Sequence, residues 1–131
     1  ARLFRAAAQA ETVHAAAHLR ALGGIGSTAE NLQAAIAGEN YEVTSMYPPF
    51  IAVAGEEGNK AALTSFTRDW EVEKIHEELY RSLLALLGEG KAEEEQYDYY
   101  VCPVCGHTHP RSAPEKCPVC GAPGSRFERI A

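Results

Sequence analysis

No apolar run in this chain is long enough to cross a bilayer, and no charged-then-apolar leader opens it, so neither a membrane span nor secretion is expected. Basic residues are scarce where a polyanion would need them. Residues 1–96 hold fifteen of the eighteen Asp and Glu against eight Lys and Arg, within a net charge of −6. Such a body repels phosphate backbones, which argues against nucleic acid as a partner. Internal repeats are absent apart from one short doubled phrase. Cysteine is missing from the first 101 residues, and all four copies fall in the last thirty.

That phrase is Cys102-Pro-Val-Cys105-Gly106, repeated as Cys117-Pro-Val-Cys120-Gly121. Two cysteines separated by two residues grip one metal from a tight turn whose backbone N–H groups offset the thiolate charge. Proline stiffens the turn, and the glycine after it accepts positive φ. Two facing turns supply four soft ligands, the set that iron or zinc prefers. Two disulfides fit poorly, because cysteines this close in sequence are hard to bridge. The phrase alone leaves a structural zinc ribbon and a redox iron centre equally open. Thiolates kept for metal suggest a reducing compartment, most simply the cytoplasm.

The 131 residues have room for a modest helical domain plus a metal-stapled appendage. Helical periodicity covers Ala1 to about Leu22, with apolar Leu3, Phe4, Ala7, Val13, Ala17 and Leu22. It starts without a capping residue, as a helix already under way. Gly23-Gly24-Ile25-Gly26 ends it, and Ser27-x-x-Glu30 reads as a capping box for a second helix. The second region runs from Thr28 to about Glu57, with a break expected at Gly38 and a kink at Pro48-Pro49. A third, amphipathic helix is predicted from Lys60 to Leu87, closed by Gly88-Glu89-Gly90. The expected organisation is a helical domain over 1–90, an acidic linker over 91–97 with Glu93-Glu94-Glu95 solvated, and a four-cysteine domain over 98–131.

Three helices break the apolar rule in the same way, with Glu11-x-x-His14, Glu39-x-x-Glu42 and Glu73-x-x-His76. Residues three apart share a helix face, so each pair can point at one site. Glu-x-x-His on two helices, joined by glutamates from others, is how a bundle holds two iron or manganese ions. One such pair alone is usually a surface pair. Glu71, Glu77 and Glu78 read as solvated, His18 as an exposed or core-edge histidine, and His107 and His109 as loop residues. Tyr41 and Tyr47 read as core aromatics, with Tyr47 also able to donate a hydrogen bond to a ligand carboxylate.

Taken in order, Glu11-x-x-His14, Gly38-Glu39-Asn40-Tyr41-Glu42, Met46-Tyr47-Pro48, Glu73-x-x-His76 and the doubled Cys-Pro-Val-Cys-Gly resemble rubrerythrin over essentially the whole chain. The resemblance implies a mainly α, ferritin-like up-down bundle followed by a small rubredoxin-like knuckle domain with short β-strands. It implies two irons bridged by Glu11 and Glu73 with Glu39, Glu42, His14 and His76 as further ligands, Tyr47 beside them, and zinc or manganese as replacements. One more iron, or zinc, falls to Cys102, Cys105, Cys117 and Cys120. The implied activity is reduction of hydrogen peroxide to water, the thiolate iron relaying electrons singly to the di-iron pair. NADH-linked reductants, through a rubredoxin or a flavin reductase, are the implied donors. A zinc ribbon could not relay electrons, since zinc has no redox chemistry.

Rubrerythrins carry a helix, with another glutamate ligand, before the one that opens this sequence. Its absence leaves an apolar groove to be covered. The expectation is either that the natural chain begins before this sequence or that a second chain fills the gap, by exchange across a homodimer or other oligomer or as a separate chain; family members are dimers in which one subunit's rubredoxin domain approaches the other's di-iron site. Two rival readings are an iron-oxidising, iron-handling protein and a zinc-stapled helical module without catalysis.

Overall fold

The computed structural model describes residues 1–92 and 96–131, so the expected linker glutamates Glu93, Glu94 and Glu95 lie outside the described residues. The chain is mainly helical, with a three-stranded antiparallel sheet near its C-terminus. It forms two compact units, Ala1–Asn31 and Leu32–Ala131. No helix among the described residues is long and apolar enough to cross a membrane.

The first unit is helix α1 (Arg2–Ala21) and the turn after it. None of the residues of α1 is buried, and Leu3, Phe4 and Leu22 are each about four-fifths exposed, at 79, 81 and 84 %. The turn ends in the capping box expected from the sequence. The Ser27 N–H donates to Glu30 Oε2 at 2.8 Å and the Glu30 N–H returns to Ser27 Oγ at 3.4 Å, so two orphan amide donors are satisfied reciprocally.

Helix α2 (Thr28–Tyr41) runs straight through Gly38, so the break expected there does not occur. The disturbance comes later, as a π turn over Glu42–Met46 that leads into α3 (Tyr47–Glu56). Pro48 and Pro49 explain it. They have no N–H with which to continue the i→i−4 ladder onto Thr44 and Ser45, and the helix changes register before reaching them. The Tyr47 N–H bonds to Glu42 rather than to Val43. The freed Val43 carbonyl is taken by the Trp70 indole N–H at 2.8 Å. A buried carbonyl left unpaired costs about 1–3 kcal/mol, so the tryptophan stabilises the altered register.

Helix α4 (Lys60–Gly88) starts from Asn59, whose side chain accepts from the Ala62 N–H at 3.1 Å. It packs along α3, where Phe50 and Phe66 stack at 5.7 Å between ring centres. Leu32 and Ile36 of α2, Ala54 of α3 and Val72 of α4 are the buried aliphatic positions of the helices among the described residues.

Strands β1 (Tyr99–Val101), β2 (Thr108–Pro110) and β3 (Glu128–Ile130) form the sheet in the order β2-β1-β3. The registers Val101↔Thr108 and Val101↔Glu128 fix both edges on one central strand. The buried cluster under the sheet is made of Cys102, Cys117 and Ala122, with Cys105, Val119, Cys120 and Phe127 against it. In effect the thiols are the core.

Candidate metal centres

The two cysteine turns have one geometry. The Gly106 N–H bonds to the Cys102 carbonyl and the Gly121 N–H to the Cys117 carbonyl, both at 2.9 Å. Gly106 and Gly121 sit at φ 79° and 77°, a conformation that side chains rarely adopt, which is why glycine follows each second cysteine. All four sulfurs are free thiols lying within 4.8 Å of one another. Cys102 Sγ lies 3.6 Å from Cys120 Sγ, and Cys105 Sγ lies 3.6 Å from Cys117 Sγ. A tetrahedral ion with bonds of about 2.3 Å requires sulfurs about 3.8 Å apart, so the arrangement fits iron or zinc and excludes disulfides.

Burial pushes the Cys105 and Cys120 thiols up. Burial acts on Cys117 in the same direction, but the backbone N–H groups of Cys120 and Val119 outweigh it and bring that thiol down to about 7.

A second cluster forms on α2 and α4. Glu39, Glu73 and His76 place one ligand atom each within 4.8 Å of the others, two carboxylates and an imidazole suited to iron, manganese or zinc. His76 Nδ1 stands 2.8 Å from Glu73 Oε2 and 3.8 Å from Glu39 Oε1. The side chains of Glu39 and Glu73 are each only 17 % exposed, so two carboxylates share a half-buried space. Burial first, then the Glu73 carboxylate beside it, lifts the Glu39 carboxyl to about 7. Glu42 is raised for the same two reasons, with His76 opposing them. Tyr47 is pushed up to about 12 by burial and by the carboxylates of Asp69, Glu73, Glu42 and Glu39, so its hydroxyl keeps its proton.

Glu11 and His14 lie on α1, exposed and paired with each other at 3.4 Å. His18, Glu71 and Glu78 are exposed, as expected. Glu77 is not solvated: its side chain is 14 % exposed and takes hydrogen bonds from Arg81 at 2.6 Å and Asn40 at 3.2 Å. Arginine four residues on is within reach along the same helix face, and the pair draws the carboxylate in. Tyr41 is 60 % exposed rather than part of the core. His107 is buried, with neither ring nitrogen paired among the described residues; it packs edge-on against Phe127. Sequence reasoning missed Thr108, whose hydroxyl lies 2.9 Å from His76 Nε2, because nothing local to Glu73-x-x-His76 points 32 residues downstream.

The state of Glu39 gives a pH-dependent stability. An unfolded glutamate titrates near 4.5 and Glu39 in the fold near 7, so its contribution is fully present below pH 4.5 and is lost as pH rises through 7. Metal-free protein should melt at a lower temperature at pH 8 than at pH 5.5. Glu39→Gln should flatten that slope in parallel thermal melts; an unchanged slope would remove Glu39 as its source.

Comparisons with known proteins agree with this layout. The rubrerythrin family model matches residues 1–84, and the model of the rubrerythrin rubredoxin-like domain matches residues 100–128. Rubrerythrin of Porphyromonas gingivalis is 44 % identical over 108 residues, covering 81 % of this chain and 54 % of the relative. Nigerythrin of Nitratidesulfovibrio vulgaris is 35 % identical over 141 residues, covering 97 % of this chain and 68 % of its own length. The solved structure of nigerythrin in its fully reduced, all-ferrous state superposes with a TM-score of 0.73 at 35 % identity, over 81 % of this chain and 50 % of that one. The chain spans about half the length of the first of these relatives.

Proposed function

The chain belongs to the rubrerythrin family, and from that premise we propose that it is a non-haem di-iron peroxidase that reduces hydrogen peroxide to water. Glu11, His14, Glu39, Glu42, Glu73 and His76 are the proposed ligands of two irons, and Cys102, Cys105, Cys117 and Cys120 those of a third. The observation that carries this reading is the convergence of Glu39, Glu73 and His76 in the same compact unit as the four thiols.

Peroxide reduction consumes two electrons and two protons for each pair of waters formed. When bound, the iron pair supplies the two electrons and the thiolate iron replaces them one at a time. The chain's own residues govern the rest. Burial of Glu39 and Glu73 strengthens the field that a cation feels there. The Tyr47 hydroxyl, pushed up to about 12 by burial and by those carboxylates, keeps its proton and is the proposed hydrogen-bond donor beside them. A recess of about 400 Å³ opens beside His76, walled by Leu79, Tyr80, Leu83 and Tyr99, so the imidazole has an apolar flank.

The proposed donor is a rubredoxin or flavin reductase linked to NADH, in the cytoplasm, and the working form a homodimer or other oligomer. Support for association comes from the exposed Leu3 and Phe4 of α1 and Leu22 just after it. The test is anaerobic: iron-loaded protein, reduced rubredoxin and peroxide. Many equivalents of donor should be consumed per chain with no mineral formed. A single stoichiometric oxidation followed by iron deposition would replace the peroxidase with an iron-handling protein. Colourless protein after expression with ample iron would count against the thiolate iron, since ferric iron on four thiolates is red.

A further inference from the structure

His76 has two ring nitrogens with different tasks, and the hydrogen-bond network decides which carries the hydrogen. Nδ1 faces Glu73 Oε2 at 2.8 Å and Glu39 Oε1 at 3.8 Å, the side on which a cation would sit. Nε2 faces Thr108 Oγ1 at 2.9 Å. A threonine hydroxyl has a single hydrogen, and that of Thr108 is donated to the Gly106 carbonyl at 3.3 Å. Toward His76 the hydroxyl can only accept. In the metal-free chain Nδ1 itself donates toward the acceptor-only Glu73 carboxylate; a cation on that side displaces this hydrogen, and the one the imidazole then keeps is on Nε2, donated to Thr108.

We propose that Thr108 is a positioning residue that fixes the tautomer and ring plane of His76, and that the first cysteine turn thereby controls the metal affinity of the carboxylate site. The control reaches back through Gly106. Its carbonyl orients the Thr108 hydroxyl, while its own N–H is tied to the Cys102 carbonyl at 2.9 Å, so the cysteine turn and the imidazole share one chain of hydrogen bonds. Packing holds the two parts in register, since Val72 of α4 lies under Gly106, 3.9 Å from where a Cβ would stand. Partners behind a metal-bound histidine set ligand basicity and orientation, and their loss costs about 10–100-fold in affinity.

This inference rests on the metal-binding reading of Glu39, Glu73 and His76, and its test separates the two. With zinc filling the four-cysteine site, manganese(II) binding to the full chain is followed by electron paramagnetic resonance. The His76 Nε2–H is followed by nitrogen-proton NMR in metal-free protein. Thr108→Val should weaken manganese binding about 10–100-fold and expose the Nε2–H to rapid solvent exchange. Thr108→Ser, which keeps the acceptor, should restore both. Unchanged manganese affinity in Thr108→Val, or a serine variant no better than valine, overturns the role of Thr108. An unprotected Nε2–H in the unaltered protein does the same. No manganese uptake by the unaltered protein, with its Nε2–H still protected, overturns the metal reading instead.

Discussion

Glu73→Ala should empty the carboxylate site of metal and leave the red colour of the four-cysteine site intact. Glu73 touches His76 at 2.8 Å, lies in the cluster with Glu39 and is largely shielded from water, so its removal leaves a gap in the ligand set. Losing a mere supporting partner of a ligand costs about 10–100-fold, and losing the proposed bridging ligand should exceed the upper end of that range. Peroxide turnover should fall with the metal content. Elemental analysis and the visible spectrum of one sample check both statements. Two irons bound at undiminished affinity in the variant would mean that Glu73 is not a bridge.

Cys105→Ser should have the second large effect, in the other site. The buried cluster of the C-terminal sheet consists mainly of the ligands themselves, with Cys102 and Cys117 at 1 and 2 % exposure. Metal bound to the four thiols would then supply much of the folding energy there. Structural metal sites of this kind contribute about 10–16 kcal/mol, far more than three strands of three residues could supply by other means. The variant should lose its chromophore and the dispersion of its sheet amide signals while helical circular dichroism is retained. Steady-state peroxide reduction from a reduced donor should collapse, yet a single turnover of pre-reduced di-iron protein should survive. Simultaneous loss of both activities would refute the division of labour between the two sites.

What was legible in the sequence was what is encoded locally. The cysteine turns are five-residue units whose geometry needs only their own backbone, and the Ser27–Glu30 box closes within four residues. Likewise a three-residue spacing is enough to put Glu73 and His76 on one helix face. What escaped depends on partners far along the chain. Gly38 looked like a breaker, but α2 tolerates it, and the real change of register needs an indole 27 residues away to take up a carbonyl. Glu77 reads as one more surface charge until Asn40 and Arg81 are seen around it. The interior position of His107 has no local signal at all, since an imidazole whose ring nitrogens have no partner among the described residues is an unusual thing to bury.

The π turn has a geometric consequence for which side chains can work together. On an unbroken helix at 3.6 residues per turn, the fifth residue after Glu42 would point about 140° away from it. Closing one loop of the spiral i→i+5 rotates everything downstream back, so that Tyr47 swings toward the acidic flank instead of away from it. Restoring the ordinary i→i+4 ladder there without shortening the chain would thus turn the phenol outward while changing no ligand, whereas excising one residue would leave it in place, since the fourth residue of an α-helix returns to within about 40° of the first.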